Sequence, residues 1–239
     1  MKKAGLIGII GLILYQAFLW WTPYSQVLPS IPTLLLDYAQ LVLSITWIQA
    51  LFNSIMHAMS LLIMLALLSF ALVVIGVYIP IVKSVVTQLS EWMATTPTIA
   101  ILLIGLVLFG LTQSVNIIVS FVIWPLVFER LDYALTSLSD DEQDVMKIFA
   151  PTFFEEWVMV RSARIKDELG SMVNMVFPTT LKILIMVEVL HSQTQGYGHL
   201  YQMARQSFHI ERLITLTIHL IVTLKILKTL TSYYFHKST

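Results

Sequence analysis

The stretch FNSIMHAMSLLIMLALLSFALVVIGVYI, Phe52–Ile79, contains no Asp, Glu, Lys or Arg. A helix rises ~1.5 Å per residue, so about 20 apolar residues cross the ~30 Å of hydrocarbon in a bilayer. This run is long enough, and a helix apolar on every side is stable only where its surroundings are apolar too. It reads as a transmembrane helix.

The rest of the chain agrees with that reading. Of its 239 residues 57% are hydrophobic and 12% charged, and the mean hydropathy is +0.82. A soluble domain carries about 25% charged residues and has too little interior to hide so much apolar surface. The composition is that of an integral membrane protein. Five further segments qualify or nearly qualify as spans, at roughly 4–21, 97–111, 115–131, 171–190 and 213–231. The expected fold is therefore an all-α polytopic membrane protein with about six transmembrane helices, forming one domain over 1–239. The third and fourth spans are short and separated by TQSV, which predicts a tight helical hairpin. Pro80, Pro97, Pro125 and Pro178 are tolerable within spans because neighbouring helices can satisfy the freed carbonyls. The opening MKKAGLIGIIGLILYQAFLWW imitates a signal peptide, but Trp20, Trp21 and Pro23 stand where a small-residue cleavage site belongs. It reads as an uncleaved first helix. The segment Pro29–Gln49 reads either as an amphipathic surface helix or as part of a longer second span.

Charge sets the expected orientation. Lys2, Lys3, Lys83, Arg130, Lys147, Arg161, Arg164, Lys166, Lys228 and Lys237 fall on the side of the N-terminus. The opposite loops, roughly 22–51, 112–114 and 191–212, hold Arg205 and Arg212, and the positive-inside rule then puts both termini in the cytoplasm. Formal net charge is zero, so bulk electrostatics suggests no nucleic-acid partner. Cysteine is absent, which removes disulfides and thiolate chemistry. There is no G-x-x-x-x-G-K-[ST] to cradle a nucleotide and no H-E-x-x-H for a metal. His57 and His219 stand alone within spans and read as packed, hydrogen-bonded residues.

One cytoplasmic block departs from this oil. Ser139–Gly170 holds 12 of the chain's 14 basic and 14 acidic residues, interleaved with Phe149, Phe153, Phe154 and Trp157. It reads as two short helices around a break, the second starting near Pro151 and ending before Gly170. Aromatics rimmed by charge suit a docking surface; equally, they could pack on the ends of the chain's own helices.

The order of motifs from about 50 to 231 resembles the inner-membrane permease subunits of type I ABC importers, nearest to the branch serving sulfonates, taurine and nitrate. TTPTIAILLIGLVLFG matches a proline- and alanine-containing helix start running to Phe-Gly, at Pro97, Ala100, Phe109 and Gly110, with further family prolines replaced by Thr98 and Leu103. DVMKIFAPT stands at the family's Glu-Ala-Ala loop, with Asp144 for the acid, Val145 and Met146 for the alanines, Ala150 for the glycine and Thr152 for the serine. Glu188 near the end of the fifth helix, followed by Gly196-Tyr197-Gly198, completes the series.

The resemblance implies a coupling helix between spans 4 and 5, about 139–170, inserted into a P-loop ATPase subunit. Asp144 would meet a basic group there, Phe149, Phe153 and Trp157 would fill the ATPase groove, and Ala150 and Thr152 would complete the coupling loop. It implies ATP-Mg on that partner, no cofactor on this chain and no enzyme site of its own. It also implies an extracytoplasmic solute-binding protein, a second permease copy or sister, and residence in a bacterial or archaeal cytoplasmic membrane. Pro97, Lys182 and Glu188 become candidates for the translocation path. Lys182, about ten residues into the fifth helix, would favour an anionic solute; the alternative is a structural pair with Glu129 or Glu188. Two other functional classes stay open. A motor-free transporter or channel would need intramembrane acids as relays, and a scaffold subunit would use 139–170 to recruit something other than an ATPase.

Overall fold

A computed structural model describes residues 14–19, 21, 28–137, 144, 148, 161–190 and 195–236. Every regular element among them is helical. Helix α1 (Ile31–Leu43) starts at Ser30, whose hydroxyl faces the Thr33 amide, with Pro32 in the first turn. It stops at Ser44, which turns extended and donates its hydroxyl to Leu41 O at 2.8 Å. Helix α2 (Thr46–Tyr78) follows at once. The ambiguous Pro29–Gln49 is therefore a separate helix followed by the first turn of the next.

Two prolines shape what comes after. Proline has no N–H and pushes the preceding residue out of helical geometry, so helices begin at it more easily than they pass through it. Ile79 is accordingly non-helical and α3 (Pro80–Thr95) starts at Pro80. The chain reverses here, and Gly76 of α2 lets Lys83 Cβ approach to 3.2 Å of where a Cβ would stand. Pro97 then caps α4 (Thr98–Thr136). Between α3 and the Thr98–Gly110 part of α4 the axis bends by 98°. Thr96 Oγ1 and Thr95 Oγ1 donate to Trp92 O at 2.7 and 3.1 Å, covering a carbonyl that the break exposes. The expected third span, 97–111, is thus only the second limb of a bent helix pair. Its 13 residues reach ~20 Å, short of the bilayer core. Nor do Pro80 and Pro97 interrupt helices, since Pro80 opens α3 and Pro97 caps α4; Pro125 sits inside α4, and Pro178 lies within the continuous helical stretch Glu168–Glu188, just after a π-helical turn.

Gly110 adopts φ 68°, ψ −178°, a conformation open essentially to glycine alone. Ile118 lies against Gly105, with Cγ1 2.6 Å from the position of a Cβ on Gly105. A straight helix would hold residues 105 and 118 ~20 Å apart, so the chain folds back around Gly110. The expected hairpin is present. After 137, helix α5 (Ser162–Ser171) runs through a π-helical turn, Met172–Val176, into α6 (Phe177–Glu188). The expected stop before Gly170 does not occur. Gly170 is buried, and tertiary packing overrides the ~1 kcal/mol helix penalty of glycine. Helices α7 (Tyr197–Gln206) and α8 (Ile210–His236) complete the fold.

Among the described residues three helical stretches are long and apolar enough to cross a membrane, Thr46–Tyr78, Ser114–Thr136 and Glu168–Glu188, and the bent pair Pro80–Thr95 with Thr98–Gly110, which has the geometry of either a broken span or a re-entrant loop, brings the number to four if it is counted as one span. Six spans were expected. The first, 4–21, lies mostly outside the described residues, and the sixth, 213–231, falls in α8, which carries Lys225 and Lys228 and is not among the four. The buried face of α2 includes Ala50, Ser54, Ala58, Leu61, Leu65, Ser69 and Gly76. Small residues recurring every three or four positions are what let membrane helices approach closely.

Candidate functional site

Helix directions follow from which ends meet. At one end, Ser54 and His57 of α2, Asn116 of α4 and Glu188 of α6 come together. At the other, Lys83 lies 3.4 Å from Asp132 and Arg130 lies 3.5 Å from Glu168, while Arg161, buried, donates to Leu135 O. Thr46–Tyr78 and Ser114–Thr136 therefore run parallel to each other and antiparallel to Glu168–Glu188, and Lys83, Arg130 and Arg161 lie at the same end.

The Glu188 end holds a buried polar network. Glu188 is 1% exposed. Its Oε2 accepts from Ser54 Oγ at 2.8 Å and from the Gly198 N–H at 3.0 Å, and Ser54 Oγ in turn accepts from the Tyr197 N–H at 2.7 Å. His57 Nδ1 stands 3.9 Å from Oε1, and its Nε2 meets Asn116 Oδ1 at 2.6 Å. A Cβ on Gly196 or Gly198 would collide with Glu188 itself. The carboxylate thus clasps the start of α7 to the ends of α2 and α6. Asn53 adds a bond to Gln195 O at 3.1 Å.

Tyr197 is fully buried beneath this clasp. Its hydroxyl donates to Leu216 O at 3.1 Å and meets His219 Nδ1 at 2.9 Å, and Trp47 packs edge-on against His219. Burial first, then the nearby Tyr201 and Tyr38, push the Tyr197 phenol far above its ordinary range, so it stays a neutral donor. Both histidines are packed and hydrogen-bonded, as their isolation in sequence suggested. Arg212 of α8 pairs with Asp37 of α1 at 3.0 Å.

A second feature follows from the broken span. A groove of about 550 Å³ lies between α2, α3 and the Ser114–Thr136 part of α4, lined by residues such as Met64, Leu68, Met93 and Trp124. Gly76 faces Lys83, so in an antiparallel pair Met93 falls near Ala66, midway along α2. The Thr96–Pro97 break is thus at the depth of the helix centre. Non-helical backbone at that depth is stable where it is buried in protein or lines a cavity.

The residues expected at a path do not form one cluster. Pro97 is exposed at the break, Lys182 is exposed on α6, and Glu188 is buried. Lys182 pairs with neither Glu129 nor Glu188; the latter is taken up by Ser54 and Gly198. Thr179 and Thr180 bond the backbone carbonyls of Met175 and Val176 at 2.9 Å, leaving no hydroxyl donor for a path. Lys182→Met is accordingly expected to keep yield and monodispersity, within ~0.5 kcal/mol of stability. A lost protein on that substitution would restore the structural-pair reading. Among the expected coupling residues, Asp144 is helical and exposed. Phe149, Ala150, Thr152, Phe153 and Trp157 lie outside the described residues.

Sequence reasoning missed Ser54. A serine in an apolar run carries no signal of its own, and its partner is 134 positions away. No known protein-family model matches the chain, and no curated protein is significantly similar to it.

Proposed function

We propose that this chain is the membrane-spanning permease subunit of an ATP-driven importer. It would work as a dimer with a second copy or a sister permease, be fed by an extracytoplasmic solute-binding protein, and be powered by a P-loop ATPase docked on 139–170. One observation carries the reading. Glu188 and the Gly196–Gly198 turn, two motifs noted separately in sequence, meet as a single hydrogen-bonded clasp. Two further motif residues also have defined work, Pro97 at the break and Gly110 at the hairpin. Alternating access needs rigid bodies hinged at their ends, and a clasp at one end with charged contacts at the other is such a framework. ATP binding by the motor would move the Lys83 end through the Asp144 segment while the clasp holds the far end together.

The test is to purify the tagged chain from its native membranes in mild detergent and identify its companions by mass. A stoichiometric P-loop ATPase is expected, reduced at least about tenfold by Asp144→Lys with Phe153→Ala, the chain itself staying monodisperse. Isolation of the chain alone, under conditions that keep other complexes intact, would overturn the reading. The His57–Glu188 contact favours a motor-free, proton-coupled transporter instead. That alternative requires proton uptake by the isolated chain in liposomes, abolished by His57→Gln.

A further inference from the structure

Helix α6 turns one side away from the rest of the protein. Met175 in the π-helical turn, then Lys182 and Met186, are exposed, while Leu181, Leu184 and Glu188 are buried. Positions seven and four apart share one side of a helix. Thr179 between them gives its hydroxyl to Met175 O. Lys182 makes no hydrogen bond or ion pair with another described residue.

The depth of that charge is what matters. Along the span Glu168–Glu188, Lys182 lies about 21 Å from Glu168 and about 9 Å from Glu188. Side chains on a helix lean toward its N-terminus, here the Glu168 end. The stem therefore carries the ammonium away from the nearer end of the span and toward its middle, against the short route out to the membrane surface. A charge at that depth is too costly to face hydrocarbon, and such groups face the protein interior or a water-filled cavity. The interior lies on the other side of α6, with Leu184 and Glu188. This side faces water.

Arg130 continues the same side toward the Lys83 end. Its guanidinium stands 3.5 Å from Met175 Sδ and 3.5 Å from Glu168. Met175 is about 10 Å from Lys182 along the axis, so two cations follow one another beside the exposed face. The π-helical turn Met172–Val176 lies between them, and such turns are frequent at functional sites. Lysine is a point charge, without the planar fork by which arginine reads a carboxylate or phosphate in two places. Met175 and Met186 offer soft, polarisable walls and no hydration. A dianion would leave half its charge unmatched there, whereas a singly charged anion with a small apolar body would not.

We infer that the exposed side of α6 lines a water-filled path and that Lys182 binds a small, singly charged organic anion, a carboxylate or sulfonate. Arg130 stands where the path opens at the Lys83 end. The inference rests on the permease reading for the second copy that closes the path, and not for the motor.

The chain has no cysteine, so a single introduced one reports alone. Met186→Cys, in the full chain in phosphatidylcholine nanodiscs, is treated with two water-soluble methanethiosulfonates, the anionic ethylsulfonate and the cationic ethyltrimethylammonium. Phe208→Cys, 88% exposed before α8, is the reference. The ratio of anionic to cationic rates should be at least about fivefold higher at Met186→Cys than at the reference, because a positive charge one helical turn away draws one reagent and repels the other. Lys182→Gln should abolish that excess. Methanesulfonate should slow the reaction, and sulfate at equal ionic strength should not. Met175→Cys replaces Met186→Cys if the latter misfolds. Four results each overturn the inference. Inertness to both reagents puts the face against lipid or another chain. A ratio equal to the reference makes the face wet but not an anion site. An excess that survives Lys182→Gln comes from another charge. A reaction indifferent to methanesulfonate, or slowed equally by sulfate, refutes binding of a singly charged anion. No ATPase takes part, so a chain purified without one but passing this test loses its motor and keeps its anion site.

Discussion

Gly198→Ala is expected to prevent the Glu188 end from assembling, at a cost on the order of 3 kcal/mol or more. A Cβ on Gly198 would meet the Cβ of Glu188, and would come 2.8 Å from both Ile185 O and Val189 N. Two of those three neighbours are backbone, so no side-chain rotation relieves the clash. Gly196→Ala differs in a telling way, because its Cβ would meet the carboxylate of Glu188 alone. Shortening that side chain should therefore relieve Gly196→Ala and leave Gly198→Ala unrelieved. Glu188→Ala has its own cost, since it strands the Ser54 hydroxyl and the Gly198 N–H in a buried site. The double variant Gly196→Ala/Glu188→Ala should thus be no worse than Glu188→Ala, a strongly non-additive pair. Thermal stability followed as the monodisperse fraction in size exclusion reads all of these. A Gly198→Ala protein as stable as the parent would mean that α7 is not clasped by Glu188.

The hairpin at Gly110 gives the second large effect. Ile118 Cγ1 and Cδ1 would stand 2.6 and 2.9 Å from a Cβ on Gly105. Gly105→Leu must push the two limbs of α4 apart, a loss of roughly 3 kcal/mol or more from a tightly packed helix pair. Gly105→Ala is milder, and Ile118→Ala removes both offending carbons. The pair Gly105→Ala/Ile118→Ala should accordingly be more stable than the sum of the single losses. Gly110→Ala isolates the other cause. Nothing stands within 4 Å of a Cβ there, so its cost is conformational, about 1–3 kcal/mol from φ 68°. If Gly105→Leu left stability unchanged, the reversal would have to lie elsewhere in the chain.

Sequence and structure divide this protein along a physical line. What the chain cannot do locally was legible. A run without Asp, Glu, Lys or Arg has to be surrounded by lipid or protein, and two short apolar segments in a row had to form a hairpin, although it turns at Gly110 while TQSV is helical; prolines 80 and 97, expected inside spans, start and cap helices instead. Glu188 and the Gly196–Gly198 turn were noted in sequence as successive motifs, and their contact came from the structure alone.

The choice of face was not legible. In water, the apolar stripe of a helix tells which side is buried. In lipid both sides are apolar, so periodicity gives the angle between Lys182 and Glu188 but not which of them turns inward. Only packing decided that Glu188 meets Ser54 and Gly198 while Lys182 faces out. The same holds for the broken span. Composition marked 97–111 as apolar, but the 98° bend and the groove it leaves depend on where α2 and the Ser114–Thr136 segment stand. Sequence by itself determined that the chain is helical, with stretches long and apolar enough to cross a membrane. The tertiary structure decided which polar groups are brought together, because hydrogen bonds across 134 residues leave no periodic trace in the chain.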